Sequence, residues 1–248
     1  MSTQERKGII DGNRKAEAPL VSIVVPVYNE EAILFGSVVE LVARMAEFDF
    51  SYEILICENG SRDNTRETGL ALERKFPHVR MLSYGAPNYG AAMRMGILAA
   101  RGKYVVCDEI DILDVGFYRR SLEALVFDQC DLVVGSKLHS ESRDKRPLMR
   151  HAATITTMLR VLLGFKGTDT HGLKAFNRER MLPVVNRCVV DKDLFASEFV
   201  IRAERGEFRI LELPVEIIEK RTPSIHLWKR VPNVLMNMAK LFVAIRLR

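Results

Sequence analysis

The stretch "KYVVCDEIDILD", Lys103 to Asp114, passes from an apolar run into four acids, Asp108, Glu109, Asp111 and Asp114. Like charges this close repel, so a cation or a change of local structure has to account for them. If the apolar run is a strand that stays extended for a few more residues, its side chains alternate faces. Glu109 and Asp111 then share one face and Asp108 takes the other. Two carboxylates on one side of a strand end suit a hard divalent cation, Mg²⁺ or Mn²⁺, with its octahedral shell completed by water and phosphate oxygens. A competing use is helix initiation, with Asp111 and Asp114 capping and charge-stabilising a helix that starts near Val115. The two uses are compatible, because Asp114 suits the cap and leaves Glu109 and Asp111 for a cation.

The elements that must position these acids alternate regularly. "LVSIVVPVY" is a β-branched run broken by Pro26, which suits a buried strand running into a loop. "EEAILFGSVVELVARMAEF" carries apolar residues at 34, 38, 41, 42 and 45, the period of an amphipathic helix. Strands follow at "YEILIC", "VRMLSY", "KYVVC" and "DLVVGS". Between them lie helices at "RETGLALERKF" (capped by Asp63 or Asn64), "AAMRMGILAAR" (ended by Gly102) and "VGFYRRSLEALVF". Strands alternating with helices predict an α/β fold, a mostly parallel sheet flanked by helices. In such open sheets ligands bind beyond the carboxyl ends of the strands. The polar segments "PVYNEE", "ENGSRDNT", "APNYG" and "DEID" all fall there.

After Ser136 the rhythm changes. "KLHSESRDKRPLMRH" reads as a long cationic loop, "AATITTMLRVLLGF" as a helix, "LKAFN" as a short strand and "FASEFVIRAERG" as a helix. "FRILELPVEII" reads as paired or bent strand around Pro214. The predicted organisation is a polar tail at 1–18 and a single domain at 19–248, with accessory strands and an amphipathic helix late in the chain.

Composition narrows the classes. A chain of 248 residues with 48% hydrophobic and 28% charged residues can bury one good-sized core. The formal charge of +5 is compatible with nucleic acid, anionic lipid or phosphorylated substrates. No aromatic-rich strand-binding platform or zinc motif accompanies it, so nucleic acid is not expected as a partner. The four cysteines, Cys57, Cys107, Cys130 and Cys188, and the five histidines are scattered, which favours buried reduced thiols over a disulfide or zinc site. No signal-peptide core and no apolar run of membrane-spanning length occurs. A cytoplasmic protein, or one peripheral to the cytosolic membrane face, is expected.

"VSIVVPVYNEE", "ENGSRDNT" and "NYGAAMRMGILAARGKYVVCDEID" together resemble the nucleotide-sugar half of family 2 glycosyltransferases with the GT-A fold. "DLVVGSK", "TDTHGLKAFNRE" and "ELPVEIIEKRTPS" are most similar to dolichol-phosphate mannose synthases and related polyprenyl-phosphate sugar transferases. The resemblance runs from Val21 to Ser224 and implies a nucleotide-sugar half at 19–136 and an acceptor half at 137–248. It implies that Pro26, Val27, Tyr28 and Glu30 line the base and ribose, with Glu58 at the base and Asn88 and Gly90 on the donor. Glu109 and Asp111 stand at the two acids of the D-x-D metal motif. Lys137 matches a basic position after the fifth strand, Lys220 or Arg221 a basic residue facing the diphosphate, and Asp169, Gly172 and Lys174 a D-x-x-G-[FL]-[KR] segment, with Lys174 and Lys220 on the nucleotide sugar. Three departures stand out: Glu-Ile-Asp in place of Asp-x-Asp, Glu58-Asn59 in place of two aspartates, and an "EKRTPS" one residue shorter than usual.

The resemblance thus implies a metal-dependent, inverting transfer of a sugar from a GDP- or UDP-sugar to a polyprenyl or dolichyl phosphate. Asp169, Lys137 and Arg221 would serve as catalytic groups. Arg143, Arg146 and Arg150, whose planar forks suit phosphate, would receive the acceptor, unless that loop is only a solvated surface. The basic amphipathic "LWKRVPNVLMNMAKLFVAIRLR" suits an anionic membrane surface or packing on the protein body. His171 is either functional or a loop histidine. The alternatives are a transferase of the same fold acting on a hydroxyl, with Asp169 as its base, and a nucleotide-sugar-binding protein without turnover.

Overall fold

The computed structural model describes residues 18–144, 163–170, 173–217 and 239–245. Strands β1 (Val21–Val27), β2 (Tyr52–Glu58), β3 (Val79–Ser83), β4 (Tyr104–Cys107) and β5 (Leu132–Ser136) alternate with helices α1 (Glu31–Met45), α2 (Thr65–Lys75), α3 (Tyr89–Ala99) and α4 (Val115–Val126). There follow β6 (Arg143–Asp144), β7 (Lys174–Asn177), α5 (Arg178–Arg187), α6 (Phe195–Arg205), β8 (Ile210–Pro214) and β9 (Glu216–Ile217). Seven strands form one sheet in the order β3-β2-β1-β4-β7-β5-β8, and β6 pairs with β9 beside it. All neighbours in the large sheet run parallel except β7, which is antiparallel to both β4 and β5. The fold is therefore the expected α/β layer, and β7 brings its amino end to the edge where the parallel strands have their carboxyl ends.

Both faces of the sheet are covered, which is why its strands read as continuous apolar runs rather than alternating ones. Ile23, Val25, Ile54 and Val106 pack under α1 and α4, through Leu34, Val38, Leu41 and Leu122. Val24, Leu55 and Val105 pack under α3, α5 and α6, through Met93, Ile97, Val185 and Phe199. Pro26 does not break β1, which runs on to Val27 with Pro26 opposite Cys57 of β2. The Val24 carbonyl accepts from Asp108 N–H and that of Val27 from Asn59 N–H, so the backbone groups of residue 26 face the β4 side beyond the last β1–β4 pair, Val24–Cys107.

Helix α3 ends at Ala99 with Ala100 extended, so Gly102 is not its stop. Gly102 is instead a close approach to β1: a Cβ there would lie 2.6 Å from the Ser22 nitrogen. Its N–H also donates to the Ser22 hydroxyl at 2.8 Å. The start of β8 is clamped to β5, since Arg209 donates to the Asp131 carboxylate from its backbone N–H at 2.9 Å and its guanidinium at 3.0 Å. The Arg209 guanidinium, joined by Arg180, holds the Asp131 carboxyl down to about 2.

Within residues 239–245, Leu241, Ala244 and Ile245 are buried against the α6 side, where Arg202 and Arg205 donate to the Ala244 and Ile245 carbonyls. This part of the C-terminal segment packs on the body, while Phe242 and Val243 stay exposed. No helix among the described residues is long and apolar enough to cross a membrane.

Candidate active site

The acidic run follows β4 directly but is not extended. Ile112 N–H donates to the Glu109 carbonyl at 3.0 Å, closing a turn, and Ile110, Ile112 and Leu113 are buried in the core. Continued strand alternation is therefore not what separates the acids. Asp108 is fully buried toward α4, where it accepts from the Tyr118 hydroxyl and from Glu109 N–H, each at 2.6 Å. Burial pushes its carboxyl up to about 8 against those two hydrogen bonds, with the Glu109 and Asp114 charges adding to the rise. Asp114 caps α4, accepting from Phe117 N–H at 2.8 Å, and its second oxygen accepts from Glu216 N–H at 3.0 Å.

Glu109 faces the other way. Its carboxylate lies 4.0 Å from the Lys137 ammonium, which follows β5. The antiparallel register of β7 sets Lys174 opposite Cys107 on one side and Val134 on the other, between the ends of β4 and β5. Lys174 is 2% exposed, and burial pushes its ammonium down to about 8; Cys107, Asp169 and Glu109 oppose that fall and Lys137 adds to it. Asp169, 2% exposed, accepts from Lys137 N–H at 3.0 Å. Tyr89, the first residue of α3, completes this corner. Its phenol is raised first by burial of the hydroxyl end, although 37% of the residue is exposed, and then by the Glu109 charge. Glu109, Lys137, Asp169 and Lys174 thus gather at one edge of the sheet, and Asp111, 7% exposed, lies in the turn that follows Glu109.

The neighbouring loops are stitched together. Asn29 N–H donates to the Ser61 hydroxyl, Arg62 N–H to Asn29 Oδ1, and Asn64 N–H to Glu31 Oε2. Glu30 donates its N–H to Thr65 Oγ1 at 2.7 Å, and Tyr28 is exposed at the mouth of this region. Glu58 is buried, with one carboxylate oxygen accepting from Ser61 N–H and the other from the Ser83 hydroxyl. Asn88 caps α3 and also accepts from Lys192 N–H at 2.8 Å, while a Cβ on Gly90 would lie 2.5 Å from the Lys192 carbonyl. These last two residues therefore dock the 192–195 segment against α3. Arg143 lies in β6, beside Glu216. Arg146, Arg150, His171, Gly172, Lys220, Arg221 and most of the predicted helix at "AATITTMLRVLLGF" lie outside the described residues.

Sequence reasoning passed over Tyr89, Ser136, Thr168 and Glu212. Glu212 carried one signal, an acid inside the otherwise apolar strand run "ILELPV". A cleft of about 470 Å³ lined by Arg101, Lys103 and Arg178 opens at the opposite, amino end of β4 and takes no part in this site.

The donor set fits a hard cation. No group of three or more His, Cys, Asp or Glu able to hold a metal occurs among the described residues. Two carboxylates without soft ligands match Mg²⁺ or Mn²⁺, which take one or two protein carboxylates and leave other positions to water and phosphate. The lysines beside them suit a polyanion. If Lys174 supplies charge to a bound diphosphate, kcat/KM should fall as pH rises above about 8, where the ammonium of the free protein deprotonates. Lys174→Met, uncharged and of similar length, should abolish that limb and lower the plateau. A limb that persists in the variant would assign it to another group.

The profile of Glycosyl transferase family 2 matches residues 22–183. A dolichyl-phosphate beta-glucosyltransferase of Trichomonas vaginalis is 30% identical over 227 residues, 83% of this chain and 70% of the relative. A dolichyl-phosphate beta-glucosyltransferase of Dictyostelium discoideum is 25% identical over 230 residues, 85% of this chain and 70% of the relative. Among solved structures, glucosyl-3-phosphoglycerate synthase from Mycobacterium tuberculosis, in complex with Mn²⁺, uridine diphosphate and glucosyl-3-phosphoglycerate, superposes with a TM-score of 0.67. It covers 97% of this chain and 84% of that one at 19% identity, a likeness of the GT-A fold. With the profile spanning well over half of its length and a 30% identical relative matching most of it, the chain belongs to glycosyltransferase family 2.

Proposed function

We propose that this glycosyltransferase moves glucose from UDP-glucose to a polyprenyl phosphate of the dolichyl type, with inversion at the anomeric carbon and with Mg²⁺ or Mn²⁺. The observation that carries the reading is the corner where Lys137 lies 4.0 Å from Glu109 and the buried Lys174 feels the charge of both. The dolichyl-phosphate beta-glucosyltransferase relatives favour glucose, the β product and the lipid phosphate. The uridine diphosphate and metal in the structural neighbours favour the donor base and the cation.

The chemistry follows from charge. An acceptor phosphate oxygen attacks the anomeric carbon, the bond from that carbon to the diphosphate oxygen breaks, and its electron pair leaves with the nucleoside diphosphate. A divalent cation held by Glu109 and Asp111 supplies Lewis-acid neutralisation of the diphosphate when bound. Lys137 and Lys174 present ammonium charge to the growing negative charge, from positions set before the bond breaks. A phosphate monoester is already largely ionised near neutral pH, so this acceptor needs no general base. That agrees with Asp169, whose carboxylate is engaged by Lys137 N–H rather than kept for an incoming hydroxyl. We assign Pro26, Val27, Tyr28, Glu30 and Glu58 to the nucleoside end, and Asn88 and Gly90 to the α3 wall. Arg143, Arg146, Arg150, Lys220 and Arg221 go to phosphate groups, and the product stays at a membrane surface.

The test is transfer of labelled glucose from UDP-glucose to dolichyl phosphate, with Mn²⁺, with Mg²⁺ and with chelator, beside GDP- and other UDP-sugars. Labelled lipid formed from UDP-glucose and lost with chelator is the expected result. Transfer only from a GDP-sugar would overturn the donor assignment. Transfer to a soluble hydroxyl acceptor without lipid would overturn the acceptor.

A further inference from the structure

We infer that Glu212 is a positioning residue for Lys137, acting through Thr168, Ser136 and Asp169; the inference rests on the proposed part of Lys137 in diphosphate stabilisation. Glu212 lies in β8, opposite Val134 of β5, on the flank of the sheet. Its two carboxylate oxygens grip one residue of the 165–170 loop. Oε1 accepts from Thr168 N–H at 2.6 Å and Oε2 from the Thr168 hydroxyl at 2.5 Å. The same loop is pegged two residues earlier, where Lys166 N–H donates to Glu204 of α6. It also closes tightly on both neighbours: a Cβ on Gly167 would lie 2.8 Å from Glu212 Oε1 and 2.5 Å from the Phe165 ring.

From this grip two arms reach Lys137. In one, Asp169, next in sequence to Thr168, accepts from Lys137 N–H at 3.0 Å. In the other, Ser136 Oγ lies 2.6 Å from Thr168 Oγ1 and accepts from Leu138 N–H at 3.2 Å. A hydroxyl has one proton to give. Thr168 gives its proton to Glu212, so Ser136 must give its own to Thr168, and the polarity of the arm is set by the carboxylate at its end. The backbone at 136–138 is held from both sides, and the ammonium of Lys137 then stands 4.0 Å from Glu109. Nothing in this arm requires Glu212 to touch a substrate.

Glu212→Gln has the same shape and the wrong donor pattern. Its carbonyl can keep Thr168 N–H, but its amide then donates to Thr168 Oγ1, whose proton turns toward Ser136 and displaces the Ser136 proton from its acceptor. Misplacement of a positioned group can reduce turnover up to about 100-fold, so a fall in kcat of about 10-fold or more is expected, with the donor KM changed less. Thr168→Val should behave alike, and Thr168→Ser, which keeps the hydroxyl, should recover most of what the valine loses.

The deciding measurement is a double-mutant cycle on glucosyl transfer, with thermal midpoints taken alongside. In a Lys137→Ala background the further loss from Glu212→Gln should shrink to about 2-fold or less, since sites that act through one another are not additive. The same factor in both backgrounds would make Glu212 a general structural residue and overturn the inference. So would full activity in Glu212→Gln, or full activity in Lys137→Ala, which leaves Glu212 nothing to position. Wild-type protein that makes no labelled lipid from any donor would remove the proposed function itself, and the inference with it. An additive cycle in an active wild-type enzyme removes the inference alone.

Discussion

Asp111→Asn is expected to reduce metal-dependent transfer on the order of 10³-fold, while Asp108→Asn keeps activity within about 10-fold of wild type. The two acids are three residues apart and chemically identical, so the contrast isolates their environments. Asp108 spends its oxygens on Tyr118 and on Glu109 N–H inside the α4 interface. An asparagine there can still accept from Glu109 N–H with its carbonyl, and its amide can donate to the Tyr118 oxygen. At position 111 the amide removes the negative charge a hard cation requires and offers in return a neutral oxygen of lower affinity. The measurement is initial rate against Mn²⁺ concentration for both variants, with thermal midpoints in the absence of metal and nucleotide as a control on folding. A half-saturating metal concentration unchanged in Asp111→Asn would place the cation elsewhere. Equal losses in both variants would mean that the acids act as one cluster.

Much of this site could be read in the sequence, and the parts that could not share one cause. Asp114 was legible as a helix cap because a cap depends on neighbours three residues away, and Phe117 N–H is the group it accepts from. The strand and helix alternation was legible because apolar periodicity is local. Asp108 was separated from Glu109 on the premise of a strand that continues, yet the chain turns after Cys107 and Tyr118, ten residues on, holds Asp108. Gly102 read as a helix stop is a contact with Ser22, 80 residues earlier, and Gly90 is a contact with Lys192. The antiparallel insertion of β7 is of the same kind. Four residues, "KAFN", do not reveal which strands they will lie between, and that placement is what brings Lys174 beside the acids. Glu212 stood in a quoted motif with no role attached, because its partner Thr168 is 44 residues away. Local chemistry is visible in one dimension, whereas a partner across the sheet becomes visible only once the register is known.

Lys137→Ala should lower kcat about 100-fold or more, since removal of one preorganised charge partner for a developing anion commonly has an effect of this size. The Lys137 side chain is 12% exposed, so its charge acts in a site with little water to screen it. The ground-state diphosphate is also anionic, so donor KM should rise as well, but by a smaller factor, because the leaving group gains charge only as the glycosyl bond breaks. A loss confined to KM would make Lys137 a binding group that does not discriminate the transition state. The variant carries a second, independent signature. Lys137 is among the charges that hold the Lys174 ammonium low, although burial is the larger cause. Without Lys137 the three influences of opposite sign, Cys107, Asp169 and Glu109, meet less opposition, and the alkaline limb of kcat/KM should move to higher pH than in wild type. A fixed limb together with the 100-fold loss would separate the lysines into two unconnected roles. A shifted limb would tie both to the same diphosphate pocket, at the corner where β4, β7 and β5 meet.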